Sequence, residues 1–290
     1  MAKITYKATC RKLINEVPYP VTWDHLRWRQ AIAGAESSVG LMPVIYGTDA
    51  LTNRRDGGLI LKVRMERRKP PEAIVDGMHR KRIAAIKTTL TKEENFAIYE
   101  QVKAEVWNVT PPKIKDVFVK IKGQEVYVFS DTGTAEKVTA YLRQSFSTFP
   151  VDRMWDGAAF SALFINHLLN DGDMDAASVE EHLTFTRARD RASVTIDSAP
   201  SLYTGIVGIL SDADTVSGIG FRSGETGELA TVTSIGTIQG VLEVMAGTPG
   251  EDDDFSDFLI YAQQVECIAA EIRELSQPFC KHEDVENGTS

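Results

Sequence analysis

Apolar and polar residues alternate along Lys3–Cys10, the two-residue period of a strand with one buried face. From Val21 to about Glu36 the spacing changes. Thr22 can cap, and Leu26, Trp28, Ile32 and Ala35 fall roughly on one side, which predicts a helix. Gly40–Gly47 is a short extended stretch around Pro43. Asp56-Gly57-Gly58 is a hairpin signal leading into a strand at Leu59–Met65. Pro70-Pro71 ends that element, and Glu72–Thr88 reads as a helix weakened by Gly77. Thr91-Lys92-Glu93-Glu94 is a capping box opening a helix through about Trp107, with Phe96, Tyr99, Val102 and Val106 as its apolar stripe. After Pro111-Pro112, Asp116–Ile121 and Glu125–Phe129 form a second hairpin around Lys122-Gly123-Gln124, and Thr134–Phe146 is an amphipathic helix.

Pro150 marks a boundary between halves. Beyond it come an apolar helix at Asp156–Leu169, an acidic loop with Asp171, Asp173 and Asp175, and a helix near Ala177–His182. Strands follow at Ala192–Ile196, Gly205–Leu210, Val216–Phe221 and Leu229–Thr233, then an acidic loop at Glu251–Asp254 and a last helix at Phe255–Leu275. From Ser276 the chain is polar and reads as disordered. The pattern gives an α+β class, with antiparallel sheets and packed helices. Its organisation is a basic half at 1–150, an acidic half at 151–275 and an acidic tail at 276–290.

Charge changes this picture more than composition does. The 290 residues carry a net charge of -9, which by itself speaks against a polyanionic ligand. The distribution reverses that: residues 1–150 hold 25 Lys and Arg against 16 Asp and Glu, whereas residues 151–290 hold 7 against 25. Such asymmetry points to a polyanion partner for one end; the bland alternative is that the two halves face each other. No run of about 18 apolar residues spans a membrane, and the opening residues lack the layout of a signal peptide. Cys10, Cys267 and Cys280 are widely spaced and read as reduced cytosolic thiols.

The cations gather in runs. Lys62 and Arg64 alternate on one strand and share a face, and Arg67, Arg68 and Lys69 follow at its end. Arg54 and Arg55 flank the first hairpin. Arg80, Lys81 and Arg82 lie within one turn of the next helix, with Lys87 beyond, and Lys113, Lys115, Lys120 and Lys122 surround the second hairpin. Rows of cations on neighbouring elements suit a phosphate backbone, because each contact releases a condensed counterion. Tyr99, Trp107, Phe118, Tyr127 and Phe129 are interleaved with them. Phe118 and Phe129 sit in apolar alternation and read as core, leaving Trp107 and Tyr127 as the candidates for stacking on bases.

Signals for chemistry are weak. Gly218-Ile219-Gly220-Phe221-Arg222-Ser223-Gly224 is a partial glycine fingerprint better explained by a hairpin. The acidic stretch from Asp171 has Ala176 where a calcium loop needs glycine and His182 where it needs glutamate. The five histidines show no metal spacing. No cofactor, metal or enzymatic activity is expected, with a metal-dependent nuclease using acidic residues as an alternative.

Thr48-Asp49-Ala50-Leu51, then Gly58, the Leu59–Arg64 strand, Glu66 and Pro70, resemble the RdgC family of recombination-associated DNA-binding proteins. The resemblance continues through the helix at 91–107, the Lys120–Phe129 hairpin, Ala135-Glu136-Lys137, Leu142-Arg143, Phe149-Pro150-Val151 and Asp257-Phe258-Leu259-Ile260. It departs at the N-terminal stretch and in the more acidic second half. Those departures make the chain similar to a divergent bacteriophage branch, the Drc-type single-stranded-DNA-binding proteins. The resemblance implies self-association, sequence-nonspecific DNA binding that favours single strands, and a role in phage transcription, replication or recombination in the bacterial cytoplasm or nucleoid, with a phage or host RNA polymerase as a candidate partner. The alternative it carries is a duplex binder that modulates RecA-type recombination.

Overall fold

The computed structural model describes residues 2–15, 23–32, 35–86, 89–146, 149–170, 174, 177–199, 209–244 and 253–280. The N-terminal alternation becomes the organising strand, β1 (Ala2–Leu13). Along Ala2–Thr9 it pairs with β12 (Thr237–Val244), and along Thr9–Lys12 its other edge takes β6 (Glu125–Val128). The remaining strands are β2 (Ser37–Met42), β3 (Thr52–Arg55), β4 (Gly58–Arg67), β5 (Lys113–Lys122), β7 (Val151–Arg153), β8 (Ser178–Thr186), β9 (Ser193–Ala199), β10 (Thr215–Arg222) and β11 (Leu229–Thr233). They form one 12-stranded sheet, ordered β2-β4-β5-β6-β1-β12-β11-β10-β8-β9, with β3 also on β4 and β7 also on β1. Every pairing between these strands is antiparallel, so the fold is α+β. The sheet runs across residue 150 without a break.

Strand alternation decides which face each helix covers. Leu59, Leu61 and Val63 of β4 and Val117, Val119 and Ile121 of β5 point one way, onto Ala135, Val138 and Leu142 of α3 (Thr132–Ser145). Tyr6, Ala8 and Cys10 of β1, with Ile238, Val232 and Ile219, point the other way. There they meet Phe160 and Phe164 of α4 (Gly157–Asn170) and Val265, Ile268 and Ile272 of α5 (Asp253–Ser276). Further up the same helix, Phe258 and Ala262 cover Ile60, and the Phe258 ring stacks on Phe118 at 4.3 Å. Gly240 is required at its place, because a Cβ there would lie 2.4 Å from the Tyr6 hydroxyl.

Helices α1 (Glu72–Ala84) and α2 (Lys92–Val109) are different. They pack chiefly on each other, around Val75, Val102 and Val106, and form an arm between β4 and β5. Diprolines stand at both roots, Pro70-Pro71 and Pro111-Pro112. The predicted capping box is present: Thr91 Oγ1 accepts from Glu94 N at 3.2 Å, and Thr91 N donates to Glu94 Oε2 at 2.8 Å.

Several expectations fail for identifiable reasons. The helix over Val21–Glu36 is absent from its described residues, which hold only a 3₁₀ turn at Asp24–Leu26. Arg27 instead makes a parallel bridge to Leu41, and Trp28 N donates to Leu41 O at 2.8 Å. Gly40 permits this approach, since a Cβ would sit 2.3 Å from the Trp28 Cα. The strand near Gly40 is therefore Ser37–Met42, earlier than the Pro43-centred stretch. Ala177–His182 is not a helix; it opens β8, whose Val179, Leu183 and Phe185 are buried against α4. Asp253 and Asp254 begin α5 rather than ending a loop. Ser276 closes α5, and a 3₁₀ turn at Gln277–Phe279 returns the Phe279 ring to the core, so order extends past 276. Asp171, Asp173, Asp175, residues 205–208 of the expected Gly205–Leu210 strand, and residues 281–290 lie outside the described residues.

Candidate nucleic-acid interface

The strand register brings the sequence's cations together and also shows how many are already paired. Lys62 and Arg64 do share a face of β4, and β5 places Asp116 directly across from Arg64. Arg64 holds Asp116 through two hydrogen bonds, at 2.8 and 2.7 Å, and Lys62 Nζ is 3.9 Å from the same carboxylate. The bond to Asp116 raises the Arg64 pKa further. Arg64 also lies 5.3 Å from the Trp28 ring, and Lys62 lies 5.3 Å from Phe118, giving two cation–aromatic pairs around one acid.

Arg68 is buried. It is 7% exposed, 3.4 Å from the buried Glu66 carboxylate, with its guanidinium 4.4 Å over the Trp107 ring. Trp107 is 9% exposed, so its face is taken by Arg68 and it is not open to a base. Tyr127 is 1% exposed, and its hydroxyl donates to Glu125 at 2.6 Å. Burial, then that bond, drives its pKa well above the usual phenol range. Both stacking candidates are therefore core residues: Trp107 continues the buried Val102 and Val106 of α2, and Tyr127 stands between the buried Val126 and Val128 of β6.

Other cations are spent in similar ways. Arg82 clasps Glu105 across the arm at 2.8 Å, whereas Lys69 meets Glu72 at 3.1 Å in an exposed pair that leaves its side chain open to solvent. Lys120, 2% exposed, pairs with Glu266 of α5, and Lys122 meets the same carboxylate at 3.0 Å. Here the basic and acidic halves do face each other. Lys115 bonds Asp131 and Thr134 at the start of α3, at 2.8 and 3.0 Å. Lys87 lies outside the described residues, and Arg54 is exposed on β3.

Asp131 shows what one such pairing does. Its side chain caps α3 by accepting from Thr134 N at 2.9 Å and also takes the Lys115 ammonium. Those bonds, led by Lys115, hold its pKa well below the usual carboxylate range. A depressed pKa stabilises the fold above the unfolded value, near pH 4, and that contribution disappears as pH falls towards the folded value. Asp131→Ala is expected to cost about 1 kcal/mol at neutral pH as a lost cap. The gap from the parent chain should narrow in denaturant titrations run below about pH 4.

What remains is one end of the sheet and the arm. Arg55, Arg67, Arg80, Lys81 and Lys113 have no carboxylate partner among the described residues and are exposed. The register sets Arg67 directly opposite Lys113, next to the Met65–Lys115 pair, all on the α3 side of the sheet. Arg67, Lys69 and Lys113 line a cleft of about 790 Å³ at the roots of the arm, with Glu72 its one acid and Pro70, Pro71 and Pro111 its rigid wall. Arg80 and Lys81 lie two turns further along α1. Two exposed rings were missed in the sequence: Phe96, 65% exposed although it belongs to the apolar stripe of α2, and Tyr46, 69% exposed. Lys7, on β1 and outside the dense basic window, is also exposed.

Among the described residues no group of three or more His, Cys, Asp and Glu could hold a metal ion, and no helix is long and apolar enough to cross a membrane. No protein-family model and no curated protein matches the chain, so the reading of this cleft rests on its own geometry.

Proposed function

We propose that the chain is a sequence-nonspecific nucleic-acid-binding protein that favours single-stranded DNA and performs no chemistry on it. The observation that carries the reading is the cationic cleft at the arm's roots, where Arg67, Lys69 and Lys113 converge with little opposing charge. Phosphates are held as point charges by such a group without reading base edges, which gives affinity without sequence preference. The exposed rings of Phe96 and Tyr46, rather than Trp107 and Tyr127, supply the flat apolar surface that unpaired bases stack on. Assistance to phage transcription, replication or recombination, and kinship with the RdgC-like proteins and their Drc-type phage branch, belong to the same proposal through the sequence resemblance.

The test is a titration with single- and double-stranded oligonucleotides of equal length at several salt concentrations. Tighter binding to single strands, weakening steeply with salt, supports the reading. Absence of binding even at low salt overturns it, and preference for duplex favours the RecA-modulating alternative. Phe96→Ala is expected to weaken single-strand binding several-fold, since a stacked base contributes about 1–3 kcal/mol, with little change for duplex. Because Phe96 is exposed, its melting temperature should stay within a degree or two of the parent's, which separates stacking from packing.

A further inference from the structure

The arm carries a second surface that its own fold leaves uncovered. Ile74, 51% exposed, Met78, 38% exposed, and Lys81 recur at i, i+4 and i+7 on α1, which places them on one face of the helix. This apolar stripe ends in cations, Lys81 and the neighbouring Arg80, for which no carboxylate partner stands among the described residues.

The complementary surface lies in the acidic half. A groove of about 590 Å³ opens between α4, the end of α5 and the turn that links β10 to β11. Leu163, Met174, Leu275 and Phe279 give it an apolar floor, and Glu225 and Glu274 stand exposed on its rim. Its third acid, Glu271, is already committed: it accepts from Ser223 Oγ, Gly224 N and Glu225 N at 2.9, 3.2 and 2.7 Å, which fixes the turn and shapes the groove. The groove therefore fits an amphipathic basic helix, with apolar side chains on the floor and cations at the acidic rim.

The arm of the same molecule cannot be that helix. It leaves the sheet at Arg67 of β4 and Lys113 of β5, whereas the groove's rim residue Glu225 lines a neighbouring cleft with Asp56 and Lys122, at the opposite ends of those strands, roughly 30 Å away at 3.3 Å per residue along β4. Helix α1 has 13 residues and is only about 20 Å long at 1.5 Å per residue. We infer that the arm of one copy docks, through Ile74, Met78 and Lys81, into the acid-rimmed groove of a second copy. The surfaces joined are different on the two molecules, so the contact is head-to-tail and repeats along an open chain unless its rotation closes a ring. The opposite charges of the two halves favour the same arrangement.

The contact stands apart from the nucleic-acid reading and is measured without DNA, by sedimentation velocity of the full chain over a range of concentration and salt. The parent chain should grow in mass with concentration at low salt and return to monomer at high salt. An arm variant, Ile74→Glu with Lys81→Glu, and a groove variant, Glu225→Lys with Glu274→Lys, should each associate roughly a hundredfold more weakly, because each sets like charges across the interface. All four side chains are exposed, so the circular dichroism of both variants should match the parent's. The decisive experiment mixes the two variants in equal amounts. The groove variant still has an intact arm and the arm variant an intact groove, so the mixture should pair at concentrations where each variant alone stays monomeric. Parent chain that stays monomeric, variants that associate like the parent, or a mixture that fails to pair would each overturn the inference.

Discussion

A Glu266→Ala chain is expected to unfold with about 3–5 kcal/mol less free energy than the parent, the loss typical when one member of a buried ion pair is removed. Lys120 is the reason. It sits on the inner face of the sheet, in register with Ile60 on one side and Tyr127 on the other, and is 2% exposed. Its ammonium pairs with Glu266 on α5, a carboxylate that is itself only 11% exposed. Without Glu266 the cation stays buried under α5, and Glu125, an acid lining the same cleft, is already held by Tyr127 and Arg273. Lys122 shares Glu266 but is half exposed and can turn to solvent, so it contributes little to the loss. The double replacement Lys120→Met with Glu266→Leu should recover most of the stability, because the burial cost of both charges goes with them. Urea unfolding at neutral pH measures this. A Glu266→Ala chain within about 1 kcal/mol of the parent would mean that Lys120 reaches water and that α5 does not seal this face.

How legible this was in the sequence depends on the element. Where one face of a strand is buried and the other wet, alternation located it, as at β1, β4, β5 and β10. The capping box located the start of α2 to the residue, because its signal is local chemistry. The Val21–Glu36 segment failed because its conformation is set by a distant partner: Trp28 is held by Leu41 beside a glycine that leaves room for it. β8 failed because Val179, Leu183 and Phe185 sit four and two residues apart, a spacing that a short helix and a bulged strand can both produce. For the interface, the runs of Lys and Arg were visible, but their partners were not. Asp116, Glu105, Asp131 and Glu266 lie 16 to 146 residues from the cations they hold, counting Lys115 to Asp131 and Lys120 to Glu266. Only strand register and helix packing bring them together, so local charge density overstated the free positive surface. The same packing buried Trp107 and Tyr127 and exposed Phe96, which the helical period had assigned to the core.

That distinction between spent and unspent cations gives the prediction with the largest effect on binding. Arg67→Glu, Lys69→Glu and Lys113→Glu made together should reduce single-strand affinity at low salt by roughly a hundredfold or more. The slope of log affinity against log salt should fall by about 2, at about 0.7 for each phosphate that is no longer neutralised on a single strand. The fold should tolerate the change, since all three side chains are exposed and only Lys69 has an acidic partner, Glu72, in an exposed pair that contributes little. Arg64→Ala is the control. Its guanidinium is committed to Asp116 and its removal frees that carboxylate, so binding should change far less than with the triple replacement. Arg68 is left out of the binding set, although it sits between Arg67 and Lys69 in sequence. It neutralises the buried Glu66 and covers Trp107, so replacing it would test stability instead. Fluorescence anisotropy with a labelled oligonucleotide at four or more salt concentrations reads both quantities. If the triple variant kept the parent's affinity and slope while Arg64→Ala lost them, the phosphates would be held on the Trp28–Phe118 face of the sheet and the cleft at the arm's roots would not be the site.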